Sequence, residues 1–300
     1  MFRKILCPLD LSDFSKRAFE HGLVLARWYG AEVVALHVFS SWVPPGNLST
    51  YPGWMRHVPQ ARDQIDMELR EQLQPAVDAG MNVPLATREG DPVAEILAQA
   101  KEMGANLIVL STHGRSGFDR LTIGSVTEKV LRKARCPVLV VPVAPAEEGA
   151  APAPFAGYRR IVCAIDFSPH SLEALKFAVS VARHGNGSVT LVHVVEVADE
   201  PDVKPDSGSP LAALRGARMD SAAASLRRLG AEHRCEGCAI DESVRLGIAH
   251  NEILAVAVEK EADLVVMGVR GRNAIDLTIF GSTANQVVRR ARCAVLTVRT

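Results

Sequence analysis

The chain has 300 residues, enough for two domains of ordinary size. At 48% hydrophobic and 23% charged it is composed like a globular protein, which excludes a disordered, collagenous or coiled-coil chain. Lys+Arg 34 balances Asp+Glu 34, so no global field points to nucleic acid, and Cys 6 is too sparse for a disulfide scaffold and suits a reducing compartment.

In chain order, Phe2 to Leu9 is a short apolar run ending at Asp10 and reads as a buried parallel strand. Broken by Pro8, it is no secretion signal, and no stretch approaches the ~20 apolar residues of a membrane helix, so a cytoplasmic protein is expected. Ser12 stands where a helix N-cap belongs, Phe14, Ala18, Leu25 and Trp28 recur at helical spacing, and Gly30 stops the helix. A second strand, Glu32 to Phe39, runs into a Pro-rich loop from Ser40 to Pro59 and then a helix to Ala79. A third strand follows near Val83 to Arg88, a helix carries Glu95-Ile96-Leu97, and a fourth strand covers Leu107 to Leu110. After a Gly-containing loop come a helix from about Ser125 and a last strand, Val138 to Val141.

The chain then repeats itself. ILCPLDLSDFSKRAFEHGLVLA from Ile5 aligns with IVCAIDFSPHSLEALKFAVSVA from Ile161, and KVLRKARCPVLVV from Lys129 aligns with QVVRRARCAVLTV from Gln286. Between the copies, Ala144 to Gly157 is rich in Ala and Pro, lacks an apolar period and reads as a solvated, semi-stiff linker. The expected organisation is a domain over 1–144, a linker over 145–157 and a domain over 158–300. Strands of the second copy are expected at Arg160 to Ile165, Ser188 to Val195, Ile240 to Arg245, Leu264 to Met267 and Ala294 to Val298. Its first helix has Ser168 as N-cap, Pro169 at the favoured first position and Gly185 as its stop. The alternation predicts an α/β fold: two tandem doubly wound domains, each a mainly parallel sheet with helices on both faces. Such a sheet binds ligands outside the carboxyl ends of its strands, where strand order reverses.

Two motifs fall at those ends. After the fourth strand the second copy reads Gly268-Val269-Arg270-Gly271, nine residues, then Gly281-Ser282; the first reads Ser111-Thr112-His113-Gly114, nine residues, then Gly124-Ser125. The pattern suits a polyphosphate. Glycine allows close backbone approach and positive φ, and a helix start presents N–H groups backed by the positive end of its dipole. Ser125 and Ser282 add hydroxyls there, while Arg115, Arg270 and Arg272 can supply charge. The plain alternative is that these glycines only make turns and cap helices. The second motif is Asp10 and Asp166, whose carboxylates could accept from a ribose hydroxyl or an exocyclic amine. The plain alternative is a turn or cap, although Ser12 and Ser168 already supply caps.

These features resemble the universal stress protein family in a tandem two-domain form. The resemblance rests on Gly-x2-Gly-x9-Gly-Ser, the apolar strand ending in Asp, and Leu36-His37-Val38 with its counterpart Val192-His193-Val194. It covers nearly the whole chain outside the linker, and departs at Ser111, where ATP-binding members usually have Gly. It implies a five-stranded sheet of order 3-2-1-4-5 in each half, paired through the last strands as an intrachain pseudo-dimer, with a homodimer of the whole chain left open. It also implies adenine nucleotide (ATP, ADP or AMP, with or without Mg) at two sites. The first is Pro8, Leu9, Asp10, Val38, Gly114, Gly124, Ser125 and Val126, with His113 and Thr127 at its edge. The second is Ala164, Ile165, Asp166, Val194, Gly268, Arg270, Gly271, Gly281, Ser282 and Thr283.

The function implied is a nucleotide-binding stress-response protein whose ligand sets conformation or the choice of an unidentified protein partner. A slow ATPase and a nucleotide-free interaction scaffold stay as alternatives. No Lys follows a Gly, so a P-loop is absent, and His113 is a candidate base in the first half alone, its counterpart being Arg270. His233, Cys235 and Cys238 are a weak metal candidate with three ligands and no fourth, and a helix terminus is the favoured reading. The other cysteines are expected to pack as small apolar groups, and His37 and His193 to be satisfied strand histidines. The basic runs Arg132-Lys133-Ala134-Arg135 and Arg289-Arg290-Ala291-Arg292 suit helix C-termini rather than nucleic acid.

Overall fold

The computed structural model describes residues 1–39, 54–114, 123–143, 155–196, 210–234, 237–269 and 280–299. The first half supplies β1 (Lys4–Pro8), α1 (Asp13–Tyr29), β2 (Glu32–Phe39), α2 (Trp54–Asp78), β3 (Leu85–Glu89), α3 (Pro92–Met103), β4 (Leu107–Ser111), α4 (Ser125–Lys133) and β5 (Val138–Val141). The second supplies β6 (Arg160–Ala164), α5 (Pro169–Gly185), β7 (Ser188–Glu196), α6 (Pro210–Glu232), β8 (Ala239–Gly247), α7 (Ala249–Glu259), β9 (Leu264–Gly268), α8 (Ser282–Arg290) and β10 (Ala294–Val298).

The strands form one ten-stranded sheet in the order β3-β2-β1-β4-β5-β10-β9-β6-β7-β8. Each half is therefore ordered 3-2-1-4-5, parallel throughout, and the halves meet where β5 and β10 pair antiparallel, Leu139 opposite Leu296. Central strands are covered on both faces and read as continuous apolar runs: Leu107–Ser111 is buried at every position. The edge strands β3 and β8 alternate with charge instead, as LATRE and AIDESVRLG do.

Right-handed crossovers put α1, α2, α5 and α6 on one face and α3, α4, α7 and α8 on the other. Each face carries one hydrophobic cluster that runs through both halves. The halves also exchange aromatic residues. Phe2, which precedes β1, packs on Phe177 of α5 with ring centroids 5.4 Å apart. Its repeat counterpart Tyr158, fully buried before β6, lies 5.6 Å from His21 of α1 and shares a 2.7 Å hydrogen bond with its Nδ1. Phe155 stacks on the same imidazole at 3.6 Å. The stretch expected to be solvated linker is thus packed at its end: the apolar surface that holds Phe155 belongs to the other half, which a local pattern does not reveal.

Several local expectations hold and a few shift. Ser12 and Ser168 cap α1 and α5 through Ser15 N and Ser171 N, and Gly30 ends α1 at φ 61. Gly185, however, is the last helical residue, and Asn186 takes the left-handed position at φ 48. Gly185 is there for space, since a Cβ on it would sit 2.0 Å from the Tyr158 carbonyl oxygen. The helix expected after Pro59 begins at Trp54; Trp42 and Tyr51, aromatic residues of the Pro-rich stretch, lie outside the described residues. No helix among the described residues is long and apolar enough to cross a membrane.

Candidate functional site

The carboxyl ends of β1 and β6 are built alike. Leu9 N donates to Leu36 O at 2.7 Å, and Ile165 N to Val192 O at 2.8 Å. Their carbonyls accept from His37 Nδ1 and His193 Nδ1, each at 2.7 Å, so each ring carries a proton on Nδ1. Both histidines are therefore satisfied strand residues that shape the lip of the site. Asp10 Oδ1 accepts from Ser12 N at 3.1 Å and Ser12 Oγ at 2.5 Å; Asp166 Oδ1 accepts from Ser168 N at 3.0 Å and Ser168 Oγ at 2.6 Å. The turn role and the cap role thus coexist. The carboxylate orients the serine hydroxyl, which in turn accepts from the helix N–H, so the serine does not make the aspartate redundant.

The residue after each aspartate carries a feature that the sequence does not announce. Leu11 and Phe167 are left-handed, at φ 66 and φ 62. A bulky side chain there costs roughly 1–2 kcal/mol. The same strain in both copies, beside the switch point, marks the turn as constrained by its surroundings.

The opposite lip is the start of α4 and α8. Gly124 and Gly281 are the N-caps, at φ −60 and φ −58, so neither uses the left-handed region, contrary to the positive φ offered as one reason for glycine. Their N–H groups donate to Thr112 O at 2.7 Å and Val269 O at 2.8 Å. A glycine N-cap has no side chain to offer, so among the described residues no side-chain cap reaches the first-turn N–H groups of Ser125, Val126 and Thr127, or of Ser282, Thr283 and Ala284. The exposed hydroxyls of Ser125 and Ser282 stand beside them.

Gly114 brings the two lips together in the first half, for a Cβ on it would sit 2.4 Å from Asp10 Oδ2. The other edge residues are tied into the loop. Thr127 is buried and donates through Oγ1 to Ser111 O at 2.8 Å; buried His113 pairs its Nδ1 with Thr112 Oγ1 at 3.0 Å. Val126 packs its side chain on the core. Ser111 is accommodated without a positive φ, and its Oγ donates to His113 O at 2.5 Å. Its counterpart Gly268 has no such room, because a Cβ there would meet His170 Cβ at 2.9 Å and Ser171 N at 3.1 Å.

In the second half the lips enclose an open cavity of about 1570 Å³. Ala164, Ile165, Asp166, Val194, Gly268, Gly281, Ser282 and Thr283 all line it; Arg270 and Gly271 lie outside the described residues. Pro8 and Leu9 end β1, and Val38 lies on β2 in the place that Val194 holds on β7. One wall is new: α6 contributes Arg218, Ser221, Ser225 and Arg228. Only their spacing of three, four and three residues could have flagged them, as one polar stripe on a helix.

Two of the metal candidate's three ligands lie among the described residues, and elsewhere among those residues no three ligating side chains cluster. His233 Nδ1 donates to Leu229 O at 3.0 Å, Cys238 is buried, and Cys235 lies outside the description. Burial raises the Cys136 and Cys293 thiols to about 11 and about 12, and those of Cys7 and Cys163 further, in keeping with packing roles.

The comparisons with known proteins agree with this architecture. A model described as the universal stress protein family matches residues 1–142 and again 157–299. A universal stress protein of Methanocaldococcus jannaschii is 33% identical over 141 residues, covering 47% of this chain and 82% of its own. Universal stress protein YxiE of Bacillus subtilis is 33% identical over 147 residues, covering 47% of this chain and 99% of its own. The crystal structure of a universal stress protein from Archaeoglobus fulgidus shares the fold, with a TM-score of 0.67 and 24% identity over 99% of this chain and 96% of that one. With two family units side by side in one sheet, the chain belongs to the universal stress protein family.

Proposed function

We propose that each half binds an adenine nucleotide and that the bound nucleotide is a signal that sets conformation or partner choice. Base and ribose lie toward Asp10 and Asp166, and the phosphates lie at the starts of α4 and α8. The observation that carries this reading is the second-half cavity. All eight described positions of the site line it, with Asp166 on one lip and the start of α8, whose N-cap is Gly281, on the other. The residues fit the ligand: N–H groups and a serine hydroxyl meet phosphate oxygens at the positive end of a helix dipole, and a carboxylate meets hydroxyl or amine donors. In the first half the close approach of Gly114 to Asp10 Oδ2 serves the same end.

A signalling ligand suits this site better than a fuel. His113 is buried with Nδ1 on Thr112, so it is not poised to activate water, and Asp10 stands at the base end rather than the phosphate end. Mg would travel with the phosphates. The test is calorimetric titration of nucleotide-free protein with ATP, beside Gly281→Val. The variant is expected to lose second-half binding while keeping its circular dichroism; a folded variant with unchanged affinity and stoichiometry refutes the assignment.

A further inference from the structure

We propose that the α6 wall of the second-half cavity is a phosphate subsite, and that the nucleotide this half is built for carries phosphate on both sides of its ribose, at the 5′ and 3′ positions. The inference rests on the nucleotide reading above and specifies its ligand.

Arg218, Ser221, Ser225 and Arg228 all line the cavity from one helix. Their spacing puts them on a single face, spread over about 15 Å of helix. Two guanidinium groups flank two hydroxyls, and each of these groups donates to phosphate oxygens, arginine in bidentate fashion. Among the described residues neither Arg218 nor Arg228 takes part in an ion pair. The wall is not uniformly basic: Glu232 stands one turn beyond Arg228, and Asp166 and Glu196 line other sides. Donors are thus gathered in one stripe on α6, whereas Asp166 follows β6.

Size and symmetry support the same conclusion. The cavity, about 1570 Å³ and open to solvent, exceeds the roughly 300–1,000 Å³ usual for small-ligand sites, so it has room for a ligand larger than a 5′-nucleotide at Gly281 and Ser282. The first half lacks the stripe. The register that aligns Gly80 with Gly237 and buried Leu69 with buried Leu226 places Ala61, Gln64, Glu68 and Glu71 at these four positions. Two carboxylates there would repel the phosphate that the second half attracts. The two halves of one chain are thereby tuned to different ligands.

The test uses the full chain, stripped of nucleotide, in a Gly124→Val background that obstructs the first phosphate loop. AMP and adenosine 3′,5′-bisphosphate are titrated by calorimetry at low ionic strength, before and after Arg218→Ala/Arg228→Ala. The bisphosphate is expected to bind roughly tenfold more tightly than AMP, as one added charge-assisted contact allows. The double variant should bring that ratio close to one, with helical circular dichroism retained. A ratio near one before substitution, or a ratio that the double variant leaves unchanged, overturns the subsite. If AMP, ATP and the bisphosphate all fail to bind protein without any substitution, the nucleotide reading falls, and the subsite with it.

Discussion

The contact between His21 and Tyr158 offers a sharp test of how the two halves are held together. Both side chains are buried, their hydrogen bond is 2.7 Å, and burial, aided by the charge of Arg17, lowers the imidazole pKa from 6.5 to about 3. At the symmetry-related place the halves use Phe2 and Phe177, which need no polar partner. His21→Phe alone strands the Tyr158 hydroxyl, and Tyr158→Phe alone strands the imidazole, so each should cost about 1–3 kcal/mol at pH 7.5. The double variant copies the apolar pair and should recover most of that, giving a coupling close to the sum of the two single costs in the double-mutant cycle. The acid response has a definite sign. A depressed folded-state pKa means the unfolded chain takes up a proton below pH 6.5 that the folded chain refuses down to about pH 3. Stability from this group is complete above pH 6.5 and falls by about 1.4 kcal/mol per pH unit below it, or about 2 kcal/mol by pH 5. Urea unfolding at pH 7.5 and pH 5 should show that increment in the parent and its loss in the double variant. Equal acid losses in both, or a double variant as unstable as the sum of the singles, would refute the reasoning.

Two further predictions concern the turns around the site. Gly268→Ser should destabilise by about 1–3 kcal/mol, because its Cβ would press on backbone and Cβ atoms of α5, whereas Ser111→Gly should cost about 1 kcal/mol for a lost hydrogen bond; a Gly268→Ser variant with the parent's thermal midpoint would contradict the packing argument. Leu11→Gly should exceed Leu11→Ala in stability by about 1 kcal/mol, since both lose the same packing but only glycine relieves the left-handed φ of 66; a less stable glycine variant in denaturant titration would show that the turn is unstrained.

Much of this fold was legible because its signals are local and repeated. A strand running into Asp, then Ser two residues on, fixes both the end of β1 and the cap of α1, and the same letters recur at Asp166 and Ser168. The loop glycines located the opposite lip, although the reason for them was misread in part: Gly114 and Gly268 serve close approach, and Gly124 has an ordinary φ. What stayed hidden depends on partners distant in sequence. Phe155 looks solvated until His21 is beside it, and Gly185 looks like a helix stop until the Tyr158 carbonyl lies against it. That the α6 stripe faces the cavity was hidden for the same reason, as the face that Arg218 and Arg228 present is decided by how the helix sits over β7 and β8. The strain at Leu11 has no signature at all, because a leucine is an unexpected occupant of a left-handed position.

The measurement that tests the central claim most directly is a nucleotide count on the whole chain. The protein is purified without added ligand, denatured, and its released nucleotide separated and quantified; a second sample is emptied and titrated with ATP. Two nucleotides per chain, from the two measurements together, is the predicted result. A chain that releases no nucleotide and takes up none on titration contradicts the account.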